Sequence, residues 1–290
     1  MSNRTPTVFG SVVTLWRYPV KSMLGEELNA SEVTPRGLLG DRAYALIDGL
    51  DGKVASAKNP RKWPQLFDFR AVFVEEPRSG AQLPPIRLTL PDGTVVTQEQ
   101  GELNDLLSQI LQRPVTLQAA ERGHEEVVES TFPNPWASSA EEYWPNMEGL
   151  DYRDTVTDFA LPVGTFFDAA TVHVLTTATL DRLRALYPPG RFEARRFRPN
   201  LVVAPVTDVQ DFLDDSWIDH TLAIGDDVRL SITGGCPRCV MTTLAQGDLP
   251  QDPGILRTAA QHNQVNVGVY ASVVGGGTVR RGDAVRLAEG

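Results

Sequence analysis

The strongest constraint on this chain is a succession of short β-branched and aromatic runs, each cut off by Gly, Pro or Asp. VFGSVVTLWRYPV (8–20), DRAYALID (41–48), FDFRAVFV (67–74), IRLTL (86–90) and TVVTQ (94–98) are separated by PRGLLGD, DGLDGK and PDG. Such runs suit a half-buried pleated strand, and the separators supply the reversals between them. GELNDLLSQILQ (101–112) instead sets Leu103, Leu106, Leu107, Ile110 and Leu111 at helical spacing, with Pro114 just beyond. The first part of the chain, to about residue 118, is expected to be a small, mainly β unit closed by one helix.

The same pattern returns further on. VHVLT (172–176), NLVVAP (200–205), HTLAIG (220–225), DVRLSIT (227–233), CVMTTL (239–244), VNVGVYASVV (265–274) and AVRLAE (284–289) read as strands. TLDRLRALY (179–187), capped by Thr177 or Thr179, and DPGILRTAAQH (252–262) read as helices. GGGTVRRGDAVRL near the end reads as a hairpin. The class is α+β, mainly β. Between the halves, 121–165 loses all periodicity. TFPNPWASSAEEYWPNMEGLDYRDT within it carries two tryptophans and two tyrosines. That composition suits either a loop lying over a site or a linker wrapped across a domain junction.

A length of 290 residues suggests about two domains of roughly 150 residues. The charges, 27 basic against 37 acidic, sum to −10, which does not suit a nucleic-acid grip or an anionic lipid surface. Nothing approaches the ~18-residue apolar run of a membrane helix. Two cysteines cannot form a disulfide framework. The expectation is a soluble, cytoplasmic protein with neither nucleic acid nor membrane as partner.

Three features carry chemistry. Cys236-Pro237-Arg238-Cys239 follows a strand and a Gly234-Gly235 turn, and its second cysteine is expected to enter a strand. A guanidinium beside a thiol favours the thiolate, the form that binds metals. No pair of the four histidines has zinc spacing, so a structural zinc site is disfavoured. One cysteine as soft ligand to a redox metal, or two inert half-buried cysteines, both remain. The second feature is GRFEARRFRPN (190–200). Arg191 and Arg195 are read as a solvated face balancing nearby acids, whereas Arg198-Pro199-Asn200 reads as a fixed polar reader of an anion. The third is Pro19-Val20-Lys21-Ser22 with Gly40-Asp41-Arg42, an anion grip at a strand end.

Taken in order, LWRYPVKS (15–22), GDRAYALID (40–48), RFRPNLVV (196–203), the passage 215–226, CPRCVMTT (236–243) and the Gly-Val-Tyr segment ending at Tyr270 resemble the MOSC family. The similarity is to its two-part type, which includes amidoxime-reducing and bacterial YcbX proteins. It implies a MOSC N-terminal β-barrel-like domain over 1–118 and a small β-barrel MOSC domain with peripheral helices over 119–290. It also implies a molybdenum cofactor, Mo-molybdopterin, whose metal is held by the pterin dithiolene and one cysteine, matching Cys239. Lys21, Ser22, Arg42, Arg198, Asn200, Arg238 and Tyr270 would line that site. The chain departs from the pattern at Pro237, where relatives often have serine, and at Ala169-Ala170, where some carry hydroxyls.

The activity implied is reduction of N-hydroxylated compounds by oxygen-atom abstraction. The alternative is a sulfur (persulfide) or cofactor carrier without turnover. A four-cysteine iron–sulfur cluster cannot be built from two cysteines, so electrons are expected from a separate ferredoxin, flavoprotein or haem reductase. Pyridoxal phosphate binding attaches to the resemblance as a family-level label only.

Overall fold

Seven strands close into a barrel in a computed structural model that describes residues 8–120, 141–144, 157–160 and 166–288, the two short middle stretches as backbone only. In the first half, β1 (Val8–Arg17), β2 (Glu26–Leu28), β3 (Ala30–Thr34), β4 (Gly37–Leu38) and β5 (Tyr44–Asp48) are followed by β6 (Arg70–Phe73), β7 (Ile86–Thr89) and β8 (Val95–Thr97). Then come α1 (Leu103–Leu111) and β9 (Val115–Ala119). A two-stranded ladder, β10 (Glu141–Trp144) with β11 (Thr157–Ala160), stands between the halves in sequence. The second half runs β12 (Val172–Thr176), α2 (Thr177–Leu186), α3 (Ala194–Phe197), β13 (Leu201–Pro205), β14 (Thr221–Ile224), β15 (Val228–Pro237), α4 (Gly254–Asn263), β16 (Asn266–Gly275), β17 (Gly277–Arg280) and β18 (Ala284–Leu287). The described residues are thus α+β and mainly β, as expected.

The barrel order is β13-β12-β16-β15-β14-β18-β1, and β1 closes it by pairing with β13 from Gly10↔Pro205 to Leu15↔Leu201. Closure removes free sheet edges and fills the interior with alternate side chains such as Val12, Leu15, Val174, Leu201, Leu230 and Val269. The one parallel pair in this ring, β12 with β13, is joined by the α2–α3 crossover that parallel strands require. The first strand therefore belongs by hydrogen bonding to the second half, and the two units share it.

The rest of the first half packs the sheets β5–β9 and β6–β7–β8 against α1 around Leu46, Phe69, Ile86, Leu88 and Leu107. Met241 and Leu244 of the second half pack onto this core. A smaller cluster of Leu183, Phe192, Phe197, Ile255 and Val267 seats the helices on the barrel.

Two local expectations are corrected. CVMTTL is no strand: Val240–Thr243 forms a 3₁₀ turn with Cys239 at its N-cap. The hydroxyls of Thr242 and Thr243 donate back to the carbonyls of Cys239 (3.0 Å) and Val240 (2.7 Å), competition that β-branched propensity loses. The terminal hairpin is also absent, since β17 pairs with β3 and β18 with β14 and β1. Backbone groups of the turn between them are taken by Asn29 and Val12 instead. The cap of α2 is Thr176, one residue earlier than the first candidate, accepting from Thr179 N–H at 3.1 Å. Within 121–165, only the backbone of β10 and β11 falls among the described residues, so the reading of that segment as a loop over a site lies outside them.

Candidate functional site

The end of β1 is tied to the turn before β5. Tyr18 N–H donates to Asp41 Oδ1 (2.7 Å), Arg42 N–H to the Tyr18 carbonyl (2.8 Å) and Lys21 N–H to the Tyr44 carbonyl (2.8 Å). These bonds fix Lys21, Ser22 and Arg42 on one rim. Ser22 and Arg42 sit at φ 63° and 46°, in the left-handed region. Arg198, at φ 53°, does the same at the end of α3, where Pro199 disfavours a further helical residue. Three of the eight predicted site residues thus hold a conformation that bulky residues seldom adopt, the kind of strain that gathers at functional sites.

Arg198 is buried and donates to the Met23 carbonyl at 2.6 Å, bridging the two halves of the chain. Asn200 joins three elements. Its Nδ2 donates to Asp41 Oδ2 (2.9 Å) and the Trp16 carbonyl (3.3 Å), and its Oδ1 accepts from His173 N–H (3.0 Å). It orients Asp41, which in turn pairs with the Arg42 guanidinium.

The cysteine pair is positioned by β15, whose ladder with β16 shifts register between Ile232 and Gly234 and again between Gly235 and Pro237. Such bulges re-aim the side chains beyond them. Cys236 is fully buried, and its Sγ accepts from Arg238 Nη1, with the Tyr270 phenol nearby. Arg238 Nη2 donates to the Phe197 carbonyl at 2.9 Å, while its buried Nε has no hydrogen-bond partner among the described residues. Cys239 is half-buried. Burial pushes both thiols up, against the pull of Arg238 and, for Cys239, chiefly of Lys58. The expectation of a thiolate favoured by the adjacent guanidinium is therefore corrected: desolvation outweighs the cation. Burial likewise pushes the Tyr270 phenol up.

Four residues that the sequence reading did not place there, Lys58, Asp168, Tyr18 and His173, complete the site. Lys21 and Lys58, both buried, converge on Asp168, with Lys58 Nζ 3.0 Å from its carboxylate and Lys21 Nζ also donating to the Phe166 carbonyl at 2.8 Å. Despite partial burial, the two ammoniums hold that carboxylate far below its usual range. The visible hint was that all four lysines fall within the first 62 residues. Tyr18 and His173 also belong here. Arg42 and Arg198 lie 4.8 and 4.1 Å from the Tyr18 ring centre, and His173 meets Tyr270 edge-on at 6.2 Å. Burial, then Arg238, holds the His173 imidazole down to about 3, so it is neutral at physiological pH.

Arg42, Arg198 and Asn200 are thus tied together through Asp41 and Tyr18, Lys21 and Ser22 sit on the same rim, and Arg238 and Tyr270 stand by Cys236 and His173, with Cys239 just beyond Arg238 in the chain. Arg191 and Arg195 stand apart, paired with Glu193 and Asp248 at the surface as expected. A cleft of about 370 Å³ lined by Tyr187, Asp252, Arg257 and His262 touches none of them.

The donor set fits a polyanionic organic cofactor. Lys21, Lys58, Arg42, Arg198 and Arg238 gather here, and the carboxylates beside them among the described residues are Asp41 and Asp168, a concentration of buried positive charge in an acidic chain. Such a concentration is costly unless anions neutralise it. The orphaned Arg238 Nε calls for an acceptor as well. No cluster of three or more His, Cys, Asp or Glu side chains suited to a bare metal ion occurs among the described residues. A metal at Cys239 would draw its other ligands from a bound group.

Comparison with known proteins gives the family. Residues 9–84 match the MOSC N-terminal beta barrel domain and residues 163–286 the MOSC domain. The chain is 28% identical over 253 residues to mitochondrial amidoxime-reducing component 1 of Mus musculus, and 27% over 254 residues to that of Homo sapiens. Each alignment covers 81% of this chain and 66% of the relative, so the chain spans slightly less than two thirds of their length. Among solved structures it is similar to the YUAD protein from Bacillus subtilis, with TM-score 0.46, 11% identity and coverage of 96% and 94%. Nothing in these names concerns pyridoxal phosphate. Both domains are matched in chain order and together cover most of the sequence: this chain belongs to the MOSC family, in its two-domain form.

Proposed function

We propose that this protein binds a pterin-based molybdenum cofactor and reduces N-hydroxylated compounds such as amidoximes or hydroxylamines, with Cys239 as the metal's protein ligand. The observation that carries the reading is the gathering of buried Arg198 and Arg238, with Arg42 and the lysines of the first half, around the Cys236–Cys239 segment. When bound, the cofactor supplies the two-electron, oxygen-accepting chemistry.

The chain's own residues hold and orient. Lys21, Arg42, Arg198 and Arg238 neutralise the anionic scaffold. Ser22 Oγ accepts from Ala57 N–H at 3.1 Å and so fixes the loop that carries Lys58. Asn200 aligns Arg42 through Asp41. Arg238 engages the Cys236 sulfur, whereas Cys239 has no side-chain hydrogen-bond partner among the described residues and would be the cysteine to hold a metal. A metal held there would displace the thiol proton that burial otherwise retains.

The domain boundary near 118, a separate electron-transfer partner and a cytoplasmic setting are parts of the same proposal. No helix among the described residues is long and apolar enough to cross a membrane. The test is to express the chain with active cofactor synthesis, measure molybdenum per chain, and assay benzamidoxime reduction with an artificial donor. Molybdenum with turnover supports the reading. Molybdenum without turnover makes the protein a carrier, and absence of molybdenum overturns cofactor binding.

A further inference from the structure

Arg196 lies in the stretch RFRPN, outside the cationic site. It is fully buried, and its hydrogen-bond partners among the described residues are all backbone carbonyls. Nε donates to Arg191 (2.9 Å), Nη1 to Thr242 (3.2 Å) and Leu244 (3.1 Å), and Nη2 to Pro250 (2.7 Å). No ion pair to it occurs among the described residues. A dry guanidinium without a carboxylate is a poor way to gain stability, because desolvation is repaid only by dipoles. Its planar fork is, however, well suited to fixing several carbonyls at once.

Three of those four carbonyls belong to the segment that follows Cys239. Thr242 and Leu244 lie at its start and Pro250 at its end, so one side chain gathers both ends of the 240–250 loop. Thr242 also binds the Cys239 carbonyl twice, through its N–H (3.1 Å) and its hydroxyl (3.0 Å). A continuous path therefore runs from the Arg196 fork to the backbone of Cys239.

We propose that Arg196 is a positioning residue for Cys239, clamping the loop behind it so that the sulfur faces the cationic basin. The proposal rests on the reading of Cys239 as the metal's ligand, but it concerns the chain's own geometry.

The test uses the full chain as wild type, Arg196→Lys and Arg196→Met. In protein prepared without the cofactor, iodoacetamide labelling of Cys239 is followed by peptide mass spectrometry, together with backbone hydrogen exchange. Loss of the clamp should speed Cys239 labelling about tenfold and raise exchange in 239–250 while β14 and β18 stay protected. Arg196→Lys, which retains charge and part of the donor set, should lie between. In protein made with active cofactor synthesis, Arg196→Met should retain a minor fraction of wild-type molybdenum. Unchanged labelling, or exchange that rises equally throughout the barrel, would overturn the proposal. Should Arg196→Met fail to fold, Arg196→Lys decides by the same readouts. A wild type without molybdenum would remove the cofactor reading while leaving the labelling and exchange results to judge the clamp.

Discussion

The Arg198 guanidinium stands 4.1 Å from the centre of the Tyr18 ring, and the Arg42 guanidinium stands 4.8 Å from the same centre. One aromatic side chain, anchored through its hydroxyl to the Pro199 carbonyl at 3.2 Å, thus shares its electron-rich surface between two like charges. Burial and then the neighbouring Arg42 pull Arg198 down to about 10, so the ring works against a repulsion.

Tyr18→Phe should cost about 1 kcal/mol, the value of one buried hydrogen bond. Tyr18→Leu should cost about 3 kcal/mol, because packing and both cation contacts are lost together. Urea midpoints decide, and equal losses in the two variants would mean that the ring is no platform for the arginines.

Gly268→Ala should destabilise by more than about 2 kcal/mol, since backbone strain adds to overlap. At φ +81° the added Cβ would lie 2.3 Å from His173 Nε2 and 2.6 Å from the Val174 carbonyl. Gly80, at φ +74° with open space around it, carries only the conformational part, and Gly80→Ala should cost about 1 kcal/mol. Thermal or urea unfolding of the pair separates the two contributions.

Stability should fall as pH drops below neutrality. His173 stays neutral in the folded protein down to about 3, whereas an unfolded histidine protonates near 6.5. Between those values the unfolded state binds the proton that the native state refuses, so the stabilisation is complete above 6.5 and is lost progressively below it. The decline should reach about 3 kcal/mol by pH 4.5, at 1.36 kcal/mol per pH unit. Asp168, held low by its lysines, loses its contribution only below its ordinary pKa near 4, so the step above that belongs to His173. His173→Gln should flatten urea midpoints measured from pH 7 to 4.5. An unchanged slope would refute the assignment.

Much of the strand content could be read from the sequence because alternation and turn residues are local signals. VHVLT, NLVVAP and VNVGVYASVV all form barrel strands. Pairing was less legible. Nothing within VFGSVVTLWR says that its partners include Leu201–Pro205 and Ala284–Leu287 besides the nearby Glu26–Leu28. VMTT reads as a strand until the threonine hydroxyls are seen to bond their own turn. At the site, the residues matched through the family stretches came together. Lys58 and Asp168 were missed because their significance lies in meeting each other across 110 positions, and no local pattern encodes that encounter.

The two cysteines should separate in activity. Cys239→Ala should abolish benzamidoxime reduction, and Cys236→Ala should lower it much less, since its sulfur is buried against Arg238 and Tyr270. Rates with an artificial donor check this, and the reverse ranking would contradict the ligand assignment.

X-ray absorption at the molybdenum edge tests the central claim most directly, by counting sulfur neighbours of the metal in wild type, Cys239→Ser and Cys236→Ser. The account predicts one sulfur fewer in Cys239→Ser and the full set in Cys236→Ser. An unchanged count in Cys239→Ser, or a loss in Cys236→Ser alone, would contradict it.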